Sequence, residues 1–153
     1  MAHEITVTRR VEFSETDMAG IMHFSNYFRF METAEHAFLR SLGLSVVLSR
    51  LDPALCLPRV HAECDFSSPL RFEDEVEIHL LVAGKSSRSL SYLFRFYRRD
   101  AGHRREVARG AMKVACAARQ PDGTLKSAPL PAALAERIQI APAQALAFHS
   151  TTT

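Results

Sequence analysis

The sequence predicts an α+β fold in which a curved antiparallel sheet of about five strands wraps around one long central helix. Residues 25–42 repeat apolar side chains every three or four positions, as a buried helix does. The segments on either side alternate apolar and polar residues, as strands do. The order is one strand, the helix and then four strands. A helix that is apolar over most of its circumference needs cover on several sides, and a curved sheet provides it.

Length and composition are those of one ordinary globular domain spanning residues 1–153, with its core at about 5–120 and a short helix and tail at 130–153. Lys and Arg number 19 against 17 Asp and Glu, so no overall field favours nucleic acid as a partner. Neither a leader peptide nor a run of transmembrane length is evident. We therefore expect a cytoplasmic protein with neither a nucleic-acid nor a membrane partner.

The three cysteines predict reduced thiols. They are odd in number, unevenly spaced and without a C-x-x-C motif: Cys56, Cys64 and Cys116. Neither a disulfide framework nor a zinc site is indicated. We expect no metal and no resident cofactor.

The helix is the strongest local prediction. Ser25 is its predicted N-cap and Gly43 its predicted C′ residue. Its apolar stripe is Tyr27, Phe30, Met31, Ala34, Ala37, Phe38 and Leu42, widened by Phe28 and Leu39. Glu35 falls inside that stripe, where a carboxylate must find partners or bind a proton.

The strands are predicted from alternation. The first spans residues 4–13 with Phe13 on its inner face, and the second spans 59–67 with Val60, Ala62, Cys64 and Phe66 inward. Later strands lie around residues 76–82, 90–96 and 106–118. Residues 44–58 show no period and read as an irregular connection with one helical turn, and Pro131 opens a short helix that ends near Ile140, before a frayed tail. The two exposed sheet edges favour a homodimer.

Between the first strand and the helix, residues 14–20 form a turn that carries Asp17 and Gly20. This turn places one carboxylate just before a helix start, where unpaired backbone N–H groups can polarise a carbonyl. Such a pairing suggests acyl chemistry. The structural alternative is that Asp17 is only a turn or capping carboxylate.

The run Phe13-x-x-x-Asp17-x-Ala19-Gly20-Ile21-x-x-Phe24-x-Asn26-Tyr27 resembles the signature of the 4-hydroxybenzoyl-CoA thioesterase family of hot-dog-fold proteins. The resemblance implies hydrolysis of acyl-CoA or acyl-carrier thioesters at a dimer interface, in a homodimer or homotetramer. Coenzyme A would arrive only as part of the substrate. Asp17 would be the catalytic carboxylate, as general base or nucleophile, and the N–H of Phe24 or its neighbour would bind the thioester oxygen. Some branches carry a histidine where this chain has Phe24.

The candidate catalytic residues lie in the loop and at the helix start: Asp17, Gly20, His23, Phe24 and Asn26. Gly20 serves backbone geometry, and His23 or Asn26 can orient water or the acyl group. The alternative for Asn26 is a bond to local backbone.

The candidate substrate or coenzyme A contacts lie further along the chain: Tyr27, Glu35, Lys85, Ser87 and Arg88. Lys85, Ser87 and Arg88 belong to a turn that resembles the family's basic loop at the nucleotide end of the ligand. Tyr27 and Glu35 each have a structural alternative, as a core residue and as a paired charge.

Two other functions stay open. A hydratase or dehydratase of the same fold would use a histidine and a carboxylate from opposite subunits, for which His61 and Glu35 are the candidates. A non-catalytic acyl-CoA-binding module would retain ligand without turnover. We expect hydrolysis of an acyl-CoA with an aromatic or medium acyl group.

Overall fold

The structure is a computed structural model, and it describes residues 1–147. In chain order its elements are β1 (Glu4–Arg10), α1 (Ser25–Ser41), β2 (Leu55–Cys56), β3 (Arg59–Phe66), β4 (Glu75–Lys85), β5 (Ser89–Asp100), β6 (His103–Ala115), β7 (Ala117–Arg119), β8 (Leu125–Ser127), α2 (Ala132–Ala135) and α3 (Ala143–Ala147). Five strands form one antiparallel sheet in the order β1-β4-β5-β6-β3, and β2, β7 and β8 form a smaller sheet. The predicted fold is confirmed.

Helix α1 packs on the main sheet through side chains that are wholly buried, among them Phe30, Met31 and Phe38. The sheet supplies the opposing core residues Ile78, Leu80, Tyr92, Phe94 and Phe96. Gly110 of β6 makes the close approach possible, because a Cβ at that position would lie 2.0 Å from Met31 Cε. The predicted end of the helix is confirmed, since Gly43 has φ +71° and its N–H bonds to Arg40 O.

The prediction that β1 continues inward through Phe13 is wrong. The strand ends at Arg10, and residues Phe13–Glu15 form a turn of 3-10 helix that leaves Phe13 76% exposed. A reciprocal capping box between Glu12 and Glu15 stabilises this turn. The chain therefore leaves the sheet three residues before the alternation in the sequence stops.

Strand β3 is an edge strand, and the predicted inward burial holds only in part. Cys64 is half-buried, but Val60 and Phe66 are 56% and 49% exposed, and Ala62 is also exposed. A register shift between Arg59 and His61 interrupts the pairing with β6. The apolar side chains of this strand thus reach beyond the cover that α1 provides.

The C-terminal helix is shorter than predicted. Helix α2 ends at Ala135, because Ile138 pairs with Ala2 in an isolated bridge instead of continuing the helix.

The predicted last strand is divided at Cys116, whose N–H bonds to Arg88 O. The connection after α1 contains the predicted turn, at Leu48–Arg50. Of the predicted frayed tail, residues 143–147 are helical and 148–153 lie outside the described residues.

Across residues 1–147, no helix has the length and apolarity needed to span a membrane. The cytoplasmic location stays a prediction.

Candidate active site

The Asp17 loop is closed by three short hydrogen bonds. Asp17 N–H donates to Ile21 O and Gly20 N–H donates to Asp17 O, both at 3.0 Å. Asp17 Oδ1 accepts from Ala19 N–H at 2.8 Å. Gly20 has φ +77°, which an L side chain adopts only with strain. The backbone role predicted for Gly20 is therefore seen directly in its conformation.

One carboxylate oxygen of Asp17 remains available for chemistry. Oδ1 takes part in the turn, but Oδ2 has no hydrogen-bond partner within residues 1–147, and the residue is exposed. The turn role and a catalytic role are thus compatible, because each uses a different oxygen.

Helix α1 begins one residue earlier than predicted, with Ser25 as its first helical residue and Phe24 as its N-cap. His23 takes the place of the expected serine cap, since its Nδ1 accepts from Ser25 N–H at 3.3 Å and lies 2.8 Å from Ser25 Oγ. The Phe24 N–H donates to no group in the described part of the chain. It is therefore a candidate donor to a ligand oxygen.

Two hydrogen bonds join the helix start to the loop. Asn26 is buried, and its Nδ2 donates to Glu15 O at 2.8 Å, while His23 N–H donates to the same oxygen at 2.9 Å. Glu15 is itself held by Arg9 at 2.8 Å. The geometry gives Asn26 the backbone-bonding role that was its structural alternative, and it places His23 as a helix cap.

Asp17 and Phe24 line one cleft of about 480 Å³. Its other lining residues come from the helix start and from the end of β3: Ile21, Met22, Tyr27, Phe66, Ser67, Ser68 and Pro69. The wall is mainly apolar, and its side chains with polar atoms are those of Asp17, Tyr27 and the two serines. Such a cleft can hold an apolar group with a few polar contacts.

Tyr27 belongs to both the cleft and the core. It is buried, and its ring meets Phe66 and Phe96 edge-on at centroid distances of 4.8 and 5.5 Å. Burial raises the pKa of Tyr27 to about 12. Its phenol is therefore protonated at neutral pH and cannot act as a base there.

A second groove of about 480 Å³ lies against the same loop. It is lined by Phe13, Thr16, Asp17, Met18, Gly20 and Phe72. Asp17 is common to both cavities, so its side chain lies at the boundary between them.

Glu35 lies in neither cavity. Its side chain has no exposed surface, and Arg59 Nη1 and Nη2 lie 3.2 and 2.5 Å from its two oxygens. Burial raises the pKa of Glu35 to about 7 against the opposing attraction of Arg59, and the same buried site holds the Tyr92 hydroxyl, whose pKa burial also raises. This geometry corresponds to the paired-charge alternative and gives no support to a direct contact with substrate.

The predicted coenzyme A turn also lies outside the two cavities. Lys85 Nζ donates to Ala135 O and Ile138 O at 2.6 and 2.7 Å, which ties β4 to the C-terminal segment. Arg88 Nη1 donates to Ser127 O and Oγ at 3.3 and 3.1 Å, and Ser87 O accepts from Leu130 N–H. The contacts of these three residues with a ligand stay predictions.

Within one protomer the candidates for the hydratase alternative, which the prediction takes from opposite subunits, lie in different environments. His61 lies 3.2 Å from Glu63 on the exposed face of β3, whereas Glu35 is buried against Arg59. The residues that the sequence reasoning missed are Ser67 and Ser68, which follow β3 directly, and Phe72. The sequence around these three residues contains no motif that predicts a site. They come next to Asp17 only in the folded chain, where the segment after β3 meets the Asp17 loop.

Fold and site together define a hot-dog-fold protein with a carboxylate beside a helix start. The chain belongs to the Thioesterase-like superfamily, whose family model matches residues 11–138. The resemblance inferred from the sequence is thereby confirmed.

The chain is similar to several named proteins. A putative esterase of Aquifex aeolicus is 38% identical over 92 residues, which are 60% of this chain and 71% of that protein. The crystal structure of a 1,4-dihydroxy-2-naphthoyl-CoA thioesterase from Synechocystis has TM-score 0.78 and 25% identity, covering 88% of this chain and 94% of that one. The 4-hydroxybenzoyl-CoA thioesterase from Pseudomonas sp. strain CBS-3 shares the fold, with TM-score 0.78 and 22% identity over 88% of this chain and 99% of that one. The prediction of an enzyme of the thioesterase class is confirmed.

Proposed function

We propose that this protein hydrolyses acyl-CoA thioesters at the cleft between the Asp17 loop and the start of α1. The observation that carries the proposal is that two residues lining the same cleft each keep one polar group without a partner within residues 1–147, a carboxylate oxygen and a backbone N–H. The first is the Asp17 Oδ2 and the second is the Phe24 N–H. Thioester hydrolysis needs these two functions, an activated nucleophile and a polarised carbonyl.

The Phe24 N–H donates to the thioester oxygen as negative charge develops there. A pre-positioned donor of this kind is typically worth about 3–4 kcal/mol in the transition state. Asp17 acts in one of two ways. As a general base it takes a proton from water, and the water oxygen adds to the carbonyl carbon; the tetrahedral species then collapses and the C–S bond breaks. As a nucleophile it displaces the thiolate to form a mixed anhydride, which water then hydrolyses.

The leaving thiolate needs little assistance. Coenzyme A departs as a weakly basic thiolate, which is protonated by the solvent or by the Asp17 carboxylic acid. The site therefore functions without a strong general acid. The phenol of Tyr27 would be a weak one, because burial raises its pKa to about 12.

The acyl group we propose is aromatic. Three aromatic side chains line the cleft, Phe24, Tyr27 and Phe66, and a ring can pack against their faces or edges. Ser67 and Ser68 offer hydroxyls to a polar substituent of such a ring. The naphthoyl thioesterase of Synechocystis, which this chain resembles, supports the same choice.

The active protein is proposed to be a homo-oligomer, a dimer or a dimer of dimers. Strand β3 is an unpaired edge, and its apolar side chains Val60, Ala62 and Phe66 are exposed. Pairing with a second copy would satisfy the edge and cover these side chains.

A thiol-release screen tests the function. The purified protein is incubated with benzoyl-, acetyl-, octanoyl- and palmitoyl-CoA, and free thiol is measured. We expect the highest kcat/KM for the aromatic thioester. Hydration of crotonyl-CoA without thiol release would favour the hydratase instead, and retention of ligand without turnover would favour the binding module.

A further inference from the structure

We propose that the ion pair of Glu15 and Arg9 is a positioning device for hydrolysis, which holds the Asp17 loop in place against the start of α1. This inference rests on the proposed function and adds two residues that line neither the cleft nor the second groove. The two groups proposed to act on the thioester belong to different segments, a turn and a helix start. Because the reaction needs both groups at one carbonyl, a contact that joins these segments affects the rate without touching the substrate.

The backbone carbonyl of Glu15 joins the loop to the helix start. It accepts from His23 N–H at 2.9 Å and from the buried Asn26 Nδ2 at 2.8 Å. Glu15 lies two residues before Asp17 along the chain. His23 lies directly before Phe24. Both groups proposed to act on the thioester are thus attached, within two residues, to this one oxygen.

The loop between these two points is itself closed. Thr16 and Met22 pair in an isolated antiparallel bridge. Inside that bridge, Asp17 N–H donates to Ile21 O at 3.0 Å. A displacement of Glu15 is therefore transmitted to the Asp17 carboxylate.

The side chain of Glu15 is fixed by two donors. Its Oε1 accepts from Arg9 Nη2 and its Oε2 accepts from Glu12 N–H, each at 2.8 Å. The side chains of Glu15 and Arg9 are only 14% and 26% exposed. Solvent therefore screens this pair less than an ion pair on the open surface, and its charge-assisted hydrogen bonds hold a defined geometry.

Arg9 connects this carboxylate to the packed part of the fold. It belongs to β1, where it is paired with Val76 of β4. Its guanidinium carbon lies 4.2 Å from the centroid of the Phe30 ring, and Phe30 of α1 has no exposed surface. Cation–π attraction at this distance favours the placement. The ion pair thus fixes the Asp17 loop relative to both the sheet and the central helix.

The alternative is that the pair only stabilises the fold. Glu15 also closes the capping box of the 3-10 turn, which is a structural role. A purely structural role lowers the thermal midpoint and leaves the kcat of folded protein unchanged. A positioning role lowers kcat in folded protein, because a misplacement of about 1 Å can slow a reaction about a hundredfold. Turnover measured on folded protein therefore separates the two roles.

Glu15→Gln and Arg9→Gln test the inference, with the thioester that the wild type hydrolyses fastest as substrate. Glutamine at position 15 keeps the shape of the side chain but offers one acceptor oxygen where two donors converge. Arg10→Gln is the matched control, because Arg10 follows Arg9 on β1 and pairs with Glu75 of β4 at 3.8 Å. Both kcat and KM are measured at a temperature at which circular dichroism shows each variant to be folded.

We expect kcat to fall at least tenfold in Glu15→Gln and in Arg9→Gln, with KM within about threefold of the wild-type value. The double variant is expected to lie within about twofold of the slower single variant, because Arg9 acts through Glu15. Arg10→Gln is expected to keep the wild-type kcat. If Glu15→Gln does not fold, Arg9→Gln decides by the same criteria.

Hydrogen exchange of the His23 amide, followed by NMR, tests the same contact without turnover. We expect exchange at least tenfold faster in Glu15→Gln than in the wild type, and unchanged in Arg10→Gln. The inference is overturned by wild-type kcat in folded Glu15→Gln, by a loss confined to KM, by losses that multiply in the double variant, by an equal loss in Arg10→Gln, or by unchanged His23 exchange. A wild type that releases no thiol from any thioester counts against the proposed function instead.

Discussion

At the scale of single residues, the proposed site is built from groups that serve the fold and keep one polar atom without a partner in the described chain. Asp17 closes its turn with Oδ1 and keeps Oδ2 without a partner in the described chain. Phe24 is the N-cap of α1, and its N–H has no hydrogen-bond acceptor in the described chain. The sequence alone does not separate a catalytic role of Asp17 from a structural one, because Asp is common at turns for structural reasons.

Tyr27 provides a prediction at this scale. Because burial raises the pKa of its phenol to about 12, the hydroxyl does not titrate in the working range of the enzyme. Tyr27→Phe should therefore leave the pH profile of kcat/KM between pH 5 and 9 unchanged in shape, with a loss of no more than about threefold from altered packing. Disappearance of a limb of that profile in the variant would show that the phenol takes part in proton transfer.

At the scale of elements, the central helix is fastened to the edge strand by one buried ion pair. Glu35 of α1 meets Arg59 of β3, and a second carboxylate, Glu32, lies 3.5 Å from the same guanidinium. Burying a carboxylate costs free energy that the pair only partly offsets, which is why the pKa of Glu35 is raised to about 7 from 4.5.

This shift predicts a pH dependence of stability. A carboxyl whose pKa is higher in the folded state favours folding fully below pH 4.5, and that contribution is lost as pH rises through about 7. At roughly 1.4 kcal/mol per pKa unit, the loss is about 3 kcal/mol. Denaturation by urea at pH 5 and pH 8 measures it. Between pH 5 and pH 8, the free energy of unfolding of the wild type should fall by about 3 kcal/mol more than that of Glu35→Gln, because glutamine does not titrate. Identical pH dependence in both proteins would mean that the pKa of Glu35 is unshifted.

The elements differ in how far the sequence determines them. The bounds of α1 follow from the 3.6-residue period, because a buried face of 17 residues leaves a long pattern. The end of β1 does not, since Val11 and Phe13 continue the alternation although the strand ends at Arg10 and Phe13 already belongs to the capped turn. The cleft wall at Ser67 and Ser68 depends on the meeting of two loops that are about 50 residues apart in the chain. The partner of Glu35 was missed for the same reason: the sequence shows that this carboxylate needs one, but not that Arg59 supplies it.

At the scale of the whole molecule, the exposed apolar side chains of β3 predict self-association. Replacing Val60 and Ala62 by lysine places two charges beside the edge, where a second copy would have to bury them. We expect the wild type to run as a dimer or tetramer in light scattering, and Val60→Lys/Ala62→Lys as a monomer.

Ile140→Lys is the control for that measurement, because Ile140 is 48% exposed and lies outside β3. A monomeric wild type, or a double variant with unchanged mass, would contradict the oligomer proposed here.

The central claim, that the Asp17 carboxylate performs the hydrolysis, is tested most directly by thiol release from benzoyl-CoA in Asp17→Asn. The amide oxygen of asparagine can still accept the Ala19 N–H, so the loop is retained while the base or nucleophile is lost. Asp52→Asn is the matched control, since Asp52 Oδ1 accepts the Ala54 N–H two residues on, at 2.9 Å, and lines neither cavity at Asp17. The account predicts that kcat falls at least a hundredfold in Asp17→Asn with an unchanged thermal midpoint, and that Asp52→Asn keeps wild-type turnover. Wild-type kcat in a correctly folded Asp17→Asn would contradict it.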